Sequence, residues 1–216
     1  TARQCALRAG MPVTVPAMSV DRQCSSGMMA IGIAAKQILS DGMTIAFGGG
    51  LESISLVQND KMNRHLVKDP WLVGHHPDDY MTRIETADTV AERNGISREA
   101  QDDYALQSQQ RTAAAQEAGR FEDEIVPLKT VMKVQDRETK EISDRDITLE
   151  KDEGNRPSTT LEGLQSLAPV FKDGQTIVEG KYITAGNASQ LSDGASARAR
   201  ATRCLPRNGG GGMRTR

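Results

Sequence analysis

Three features are scarce in this sequence of 216 residues: aromatic side chains, cysteines and long apolar runs. Aromatics make up 3% of the chain and hydrophobic residues 37%, so any core must be built from aliphatic side chains. The three cysteines, Cys5, Cys24 and Cys204, have neither zinc-site nor disulfide-framework spacing, which favours a reducing cytoplasm. No apolar run reaches the roughly 20 residues that a membrane-spanning helix needs, so no membrane association is expected.

An excess of charge of one sign is also lacking, because the formal net charge is −2 at pH 7. Such a balance gives the chain no general attraction to nucleic acid or to anionic membranes. The distribution is uneven: residues 198–216 contain six arginines and no acidic residue, which leaves −8 on residues 1–197. A nucleic-acid-binding arm is one interpretation of these arginines, but no aromatic residue accompanies them, and no nucleic-acid partner is expected.

The N-terminal part of the sequence has the pattern of a strand, a turn, a helix and a second strand. Residues 13–20 alternate and are rich in small β-branched side chains, which predicts a strand. Residues 28–39 are almost all apolar and predict a helix buried on most sides, and residues 44–47 predict another short strand. Elements in this order form a βαβ unit, so the predicted class is α/β with a parallel sheet covered by helices.

A polar, charged and mostly helical region follows, from about residue 58 to residue 181. Ser97 has the character of an N-cap, and a long helix is predicted over residues 98–118, before Gly119. Tyr104, Leu106 and nearby alanines predict a modest apolar stripe along that helix.

Shorter elements flank the long helix. Residues 86–93 predict a helix that ends at Asn94-Gly95, residues 131–142 predict a hairpin with residues 136–139 at its tip, and residues 161–167 predict a short helix. From Tyr182 the chain returns to small residues, so the pattern is that of a βαβ core interrupted by a long excursion.

Cys24 lies in a polar turn between the first predicted strand and the buried helix. The partial positive charge and unpaired N–H groups of a helix start favour a thiolate, and Gly27 allows a ligand to approach closely. A cysteine placed in this way can attack an acyl carbonyl. The position alone leaves open a second interpretation, in which Cys24 is a small buried apolar residue.

Two other motifs look catalytic but are better explained structurally. Residues 48–50 are three glycines without the lysine of a P-loop or the spacing of a dinucleotide site, so we interpret them as a tight strand-to-loop turn. His75 and His76 precede a proline in the polar region, and we expect them, like His65, to be surface residues.

Five segments closely resemble, in the same order, segments of the thiolase family. They are SVDRQCSSG (19–27), GGLESIS (49–55), TADTVA (86–91), GRFEDEIVP (119–127) and TAGNAS (184–189), the last followed by Asp193-Gly194. The resemblance covers roughly residues 1–197. It implies a partial thiolase fold, in which a βαβ core carries a large, mostly helical loop-domain insertion.

The resemblance also implies a function and a set of site residues. Cys24 corresponds to the acyl-accepting nucleophile, Arg156 to the basic residue beside the adenine end of coenzyme A, Ser189 to the serine on the pantetheine arm, and Ala185 to a residue of the same channel. The implied reaction is acyl-CoA:acetyl-CoA C-acyltransfer through an acyl-cysteine, with acetyl-CoA and acyl-CoA as substrates and no metal or redox cofactor. Acetyl-CoA acetyltransferase is preferred over a long-chain 3-ketoacyl-CoA thiolase, and the full-length parent is expected to form a homo-oligomer.

Two family segments that carry the base and the second cysteine, Gly-His-Pro and Cys-x-Gly-Gly-Gly, are not found in their family context. Cys204 is not followed by glycines, and His75 lies in the wrong region. An alternative is therefore an inactive remnant that at most binds coenzyme A or is acylated once. A condensing enzyme of the ketoacyl synthase type is a further alternative, against which the loop-domain segments argue.

The resemblance divides the chain into four parts. They are a partial N-terminal core with the nucleophile (1–57), a coenzyme A-binding loop domain with the return to the core (58–181), the start of a C-terminal core (182–197) and an aberrant Arg/Gly-rich tail (198–216). The core is expected to lack its first strands. An out-of-frame reading of a GC-rich gene is our hypothesis for the tail, and an uninterrupted reading frame in the coding DNA would contradict it.

Overall fold

The computed structural model describes residues 1–201 and divides into two compact units. One unit combines Thr1–Met62 with the chain from Leu191 onward, and the other is Asn63–Gln190. In chain order, the helices and strands are α1 (Ala2–Arg8), α2 (Ser26–Leu39), β1 (Ile45–Glu52), α3 (Ile54–Val57), α4 (Pro70–His75), a 3-10 turn (Pro77–Tyr80), α5 (Arg83–Asn94), α6 (Arg98–Glu117), β2 (Leu128–Gln135), β3 (Ile142–Leu149), α7 (Leu161–Gln165) and β4 (Gly194–Ala201).

The first unit is built around helix α2 and an antiparallel pair of strands, β1 and β4. The three glycines of residues 48–50 lie inside β1 and do not form the predicted turn. A Cβ on Gly48 would lie 2.9 Å from the Cα of Ile31 in α2, and one on Gly49 would lie 2.7 Å from the carbonyl oxygen of Ser196 in β4. These glycines therefore let a helix and a neighbouring strand approach β1 more closely than any side chain allows.

The strand predicted over residues 13–20 is not formed. Pro16 removes one backbone donor from this segment. The guanidinium of Arg3 occupies two backbone acceptors of the same segment, because Nη2 donates to the carbonyl of Val13 at 2.8 Å and Nη1 donates to that of Val15. Both sheets within residues 1–201 are antiparallel pairs, so the predicted parallel sheet is also wrong for the described part of the chain.

Helix α2 forms where the sequence predicts it, but it is much less buried than its composition suggests. Ala34 is its buried residue, whereas Met28 is 78% exposed and Leu39 83% exposed. The reason is geometric: a sheet of two strands can cover only one face of a helix.

Regular structure continues past residue 197, where the sequence pattern suggests that it is lost. Strand β4 runs to Ala201, and its Arg198 and Arg200 pair with Gly48 and Ala46 of β1. The remainder of the predicted tail, including Cys204, lies outside the described residues. The predicted boundary at residue 198 stays a prediction.

The second unit follows the local signals of its sequence. Thr82 caps α5, which ends at Gly95 in the left-handed conformation, with φ of +62°. Ser97 caps α6 as predicted, by accepting the N–H of Ala100 at 3.2 Å. The predicted hairpin is confirmed as the antiparallel pair β2–β3, with Asp136 in its turn.

Replacing Gly48 by alanine should destabilise the protein by about 1–3 kcal/mol, because the new methyl group would collide with the backbone of α2. Gly32→Ala is the matched control: Gly32 lies within α2 and a Cβ there would meet nothing within 4 Å. That change should stabilise the protein by up to about 1 kcal/mol, because alanine has the higher helix propensity. Urea unfolding of both variants measures the difference, and equal effects would contradict the close-approach role of Gly48.

Candidate functional site

The turn that carries Cys24 is held by a local network of hydrogen bonds. The hydroxyl of Ser26 donates to the carbonyl of Gln23 at 2.7 Å and accepts the N–H of Arg22 at 2.8 Å. The carboxylate of Asp21 accepts the N–H of Gln23, also at 2.8 Å. Gln23 has a φ of +52°, a conformation that non-glycine residues adopt rarely. The residue just before the candidate nucleophile is therefore held in a strained, well-defined geometry.

Cys24 itself is exposed and lies two residues before the start of α2. Its exposure does not fit the interpretation of a buried apolar cysteine. Two of the N–H groups expected near the sulfur are used within the turn: Ser25 donates to Arg22 at 3.1 Å and Ser26 to Gln23 at 3.0 Å. Within the described chain, no side chain caps the start of α2.

Asp193 anchors the segment that follows β1 in the same unit. Its carboxylate accepts the hydroxyl and the N–H of Ser55, the latter at 3.2 Å, and the hydroxyl of Ser53 at 3.3 Å. The Ser55 hydroxyl is the main group that holds the pKa of Asp193 below its ordinary value, with the Ser55 N–H adding to the effect. This ionised carboxylate ties the family-like segment 49–55 to the start of β4.

In the second unit, the buried carboxylate of Glu85 holds a loop that returns from α7. It accepts the N–H groups of Thr176 at 2.6 Å and Ile177 at 3.1 Å. The Thr176 N–H is the main cause that holds the pKa of Glu85 below its ordinary value, against the opposing effect of desolvation. Glu85 is only 1% exposed, so these amides replace the water that the carboxylate has lost.

One turn further along α5, Asp88 holds the next part of the same loop. Its Oδ1 accepts the N–H groups of Lys181 at 3.1 Å and Tyr182 at 2.8 Å. The side chains of these two residues reach Glu92, with Lys181 Nζ at 3.2 Å and the Tyr182 hydroxyl at 3.0 Å from Oε2. The charged side chain of Lys181 is the main cause that lowers the pKa of Glu92.

The family-like segment 184–189 is fixed by Asn187 and Thr184. The amide of Asn187 accepts the N–H of Thr184 at 2.8 Å and donates to the carboxylate of Asp102 in α6 at 3.0 Å. Asp102 is fully buried and is paired with Arg98 at 2.8 Å. Arg98 also donates to the carbonyl of Leu164 at 2.8 Å, so the loop, α6 and α7 are joined through one charged pair.

The segment that carries Arg156 is also held by α6. Gln109 Oε1 accepts the N–H of Arg156 and the amide of Asn155, both at 2.8 Å. The side chain of Gln190 donates to the carbonyl of Gly154. The structure therefore brings the segments that carry Arg156 and Ser189 into direct contact.

The structure places the predicted site residues in two units. Cys24 lies in the unit that begins at Thr1, whereas Arg156, Ala185 and Ser189 lie in the unit 63–190. All four are exposed.

Sequence reasoning missed Asp102 and Gln109, which hold the two segments. We expected α6 to bury an apolar stripe, but Tyr104 is 71% exposed and Asp102 is the buried residue. The available signal was the seven-residue spacing of Asp102, Gln109 and Gln116, which places polar side chains on one helix face.

The three histidines are exposed, as expected for surface residues. His75 ends helix α4, where its ring stacks on that of Trp71 at 4.1 Å between centroids. In residues 1–201, no group of three or more His, Cys, Asp or Glu side chains is arranged to hold a metal ion. No helix in that range is both long and apolar enough to cross a membrane.

Comparison with known proteins gives a consistent result. The family model described as "Thiolase, N-terminal domain" matches residues 1–199. The chain is 44% identical over 189 residues to the peroxisomal 3-ketoacyl-CoA thiolase A of Mus musculus, and this match covers 87% of this chain and 42% of that protein. It is also 40% identical over 197 residues to a 3-ketoacyl-CoA thiolase of Bacillus subtilis, and this match covers 91% of this chain and 48% of that protein.

Solved structures show the same similarity. Human mitochondrial 3-ketoacyl-CoA thiolase in complex with CoA matches with a TM-score of 0.68 and 37% identity, over 93% of this chain and 48% of that one. The dimeric peroxisomal thiolase of Saccharomyces cerevisiae matches with a TM-score of 0.74 and 32% identity, over 93% of this chain and 47% of that one. The fold is therefore a partial α/β thiolase fold. The chain belongs to the thiolase family, and it spans less than half the length of these relatives.

Stability should depend on the ionisation of Glu85. Because the pKa of Glu85 is lower in the folded chain than its ordinary value of 4.5, the carboxylate stabilises the fold above that value. This contribution is lost as the pH falls through the lower, folded-state pKa. Glu85→Gln should therefore lower the free energy of unfolding near neutral pH, and the difference from wild type should shrink as the pH falls below 4.5.

Urea unfolding at a series of pH values measures this difference. Glu138→Gln, at the exposed hairpin tip, removes a charge of the same sign and is the control. If the free energies of unfolding of wild type and Glu85→Gln differ by the same amount at every pH, the charge of Glu85 does not stabilise the loop.

Proposed function

We propose that this chain carries out the acyl-accepting half of a thiolase reaction, with Cys24 as the nucleophile. The Cys24 thiolate attacks the carbonyl carbon of an acyl-CoA thioester. A new carbon–sulfur bond to Cys24 forms, the bond to the coenzyme A sulfur breaks, and coenzyme A leaves as a thiolate that takes up a proton. The observation that carries this proposal is the exposed cysteine just before α2, on a turn whose preceding residue is held at positive φ, in a chain of the thiolase family.

The coenzyme A-binding residues that we propose are Arg156 at the adenine end, with Ala185 and Ser189 along the pantetheine arm. Their assignment rests on the family segments. Support comes from the hydrogen bond between Gln190 and Gly154, which joins the segments that carry Ser189 and Arg156. One solved relative, human mitochondrial 3-ketoacyl-CoA thiolase, is described as a complex with CoA. Coenzyme A thioesters serve as substrates in this proposal, and no metal or redox cofactor takes part.

For the full-length parent we propose 3-ketoacyl-CoA thiolysis, in which coenzyme A cleaves a 3-ketoacyl-CoA. The relatives described above carry the name 3-ketoacyl-CoA thiolase, which supports this direction. Acetyl-CoA acetyltransferase, the preference from sequence, is the same chemistry in the condensing direction and stays a prediction. The two are separated by comparing acetyl-CoA with longer 3-ketoacyl-CoA substrates on the full-length parent.

A chain limited to these residues should be acylated once and then stop. The family segments Gly-His-Pro and Cys-x-Gly-Gly-Gly, which supply the base and the second cysteine, are not found here in their family context. The inactive-remnant alternative therefore predicts a single burst of acylation without turnover.

Assembly and cellular compartment are proposed for the parent only. The yeast relative is described as dimeric, which supports a homo-oligomeric parent. A cytoplasmic location stays a prediction, because the names of the relatives include peroxisomal proteins and a bacterial one.

Cys24→Ser should abolish acylation of the tryptic peptide that contains residue 24, because a serine hydroxyl is not ionised near neutral pH. Cys5→Ser is the matched control, since Cys5 is also an exposed cysteine and should leave that acylation unchanged. Incubation with acetyl-CoA followed by peptide mass spectrometry measures both variants. Equal labelling of wild type and Cys24→Ser at that peptide would end the assignment.

A further inference from the structure

Helix α6 carries three polar side chains at seven-residue intervals, Asp102, Gln109 and Gln116, which we name the polar stripe. Each interval is close to two helical turns, about 10.5 Å along the axis. Each member contacts a different part of the chain: Asp102 bonds Asn187, Gln109 bonds the segment 155–156, and Gln116 donates to the carbonyl of Asp152 at 3.1 Å. The stripe therefore arranges two loop segments along one straight element.

Asp102 controls the segment that carries Ala185 and Ser189. Its Oδ1 accepts the Asn187 amide at 3.0 Å, and the same amide donates to the carbonyl of Tyr182 at 2.9 Å. Asp102 is fully buried, so its position is fixed by its bonds to Asn187 and Arg98 and not by solvent.

Gln109 controls the segment that carries Arg156. The Asn155 amide donates both to the Gln109 backbone carbonyl at 2.9 Å and to its Oε1 at 2.8 Å. The N–H of Arg156 donates to the same Oε1 at 2.8 Å. Three bonds to one glutamine fix the backbone from which the Arg156 side chain extends.

We propose that Asp102 and Gln109 are positioning residues of the coenzyme A site, each responsible for one end of the ligand. Gln109 sets Arg156 at the adenine end, and Asp102 sets the loop of Ala185 and Ser189 at the pantetheine arm. This inference rests on the proposed function, because the ligand contacts of these loops come from it. Neither positioning residue touches the ligand in this account.

The two ends can be tested separately, because 4′-phosphopantetheine is coenzyme A without its adenosine 3′,5′-bisphosphate part. Gln109→Leu should raise the Kd for coenzyme A about tenfold and leave that for 4′-phosphopantetheine unchanged. Asp102→Asn should raise both values, because the pantetheine arm is common to the two ligands. If Gln109 has only a structural role, Gln109→Leu should weaken the binding of both ligands alike.

Isothermal titration of the whole chain with each ligand gives these values. Gln110→Leu is the matched control, since Gln110 is the adjacent exposed residue of α6 and should change neither Kd. Circular dichroism checks that each variant keeps its helices. If Asp102→Asn unfolds, the comparison of Gln109→Leu with Gln110→Leu still decides the adenine end.

A double-mutant cycle adds an independent test. If Gln109 acts through Arg156, the combined variant Gln109→Leu/Arg156→Ala should bind coenzyme A little more weakly than Arg156→Ala alone. The inference would be overturned if the losses of binding free energy in the two single variants add fully in the combined variant. It would also be overturned if Gln109→Leu weakens the binding of both ligands equally. Wild-type protein that binds neither ligand would instead overturn the proposed coenzyme A site itself, and the inference with it.

Discussion

Buried carboxylates that accept hydrogen bonds from loop amides hold the unit 63–190 together. Glu85 and Asp88 of α5 and Asp102 of α6 are each at most 1% exposed. A buried carboxylate is costly without hydrogen bonds, so each one requires its loop to keep the position that supplies them. In Asp88 these bonds reach Oδ1 alone, because Oδ2 has no hydrogen-bond partner within the described residues. The loops held by Glu85 and Asp88 lead directly into the segment of Ala185 and Ser189, which Asp102 holds in turn. The candidate coenzyme A residues are thus exposed side chains on a backbone whose anchors are buried.

The unit that contains Cys24 is organised differently. Its cysteine turn is held by bonds among residues 21–26, which are neighbours in sequence. Its sheet and helix are held by backbone contact at Gly48 and Gly49, where no side chain intervenes. The nucleophile therefore depends on short-range geometry, whereas the proposed coenzyme A segments depend on contacts between residues tens of positions apart.

This difference explains which features could be predicted from sequence. The end of α5 at Gly95, the N-cap of α6, the hairpin turn at Asp136 and the helix that follows Cys24 are encoded by adjacent residues and were predicted correctly. The start of α5 was not, because the helix begins at Arg83, three residues before its predicted start, with Thr82 as its cap. The strand over residues 13–20 was wrong, because its β-branched pattern is overridden by Pro16 and by the guanidinium of Arg3. The three glycines of β1 were wrongly interpreted as a turn, because their role is visible only when α2 and β4 are placed beside them. The polar stripe of α6 was missed because its partners, Asn155 and Asn187, are remote in sequence.

Buried carboxylates fix the backbone that leads to the candidate coenzyme A residues. Amide hydrogen exchange tests this role most directly, at the N–H groups of Thr176, Ile177, Lys181 and Tyr182. Although they lie outside regular helices and strands, these amides should exchange as slowly as those of α5, because opening them would expose Glu85 and Asp88 without partners. Exchange at the rate of an exposed loop would contradict the account and show that the carboxylates do not hold this segment.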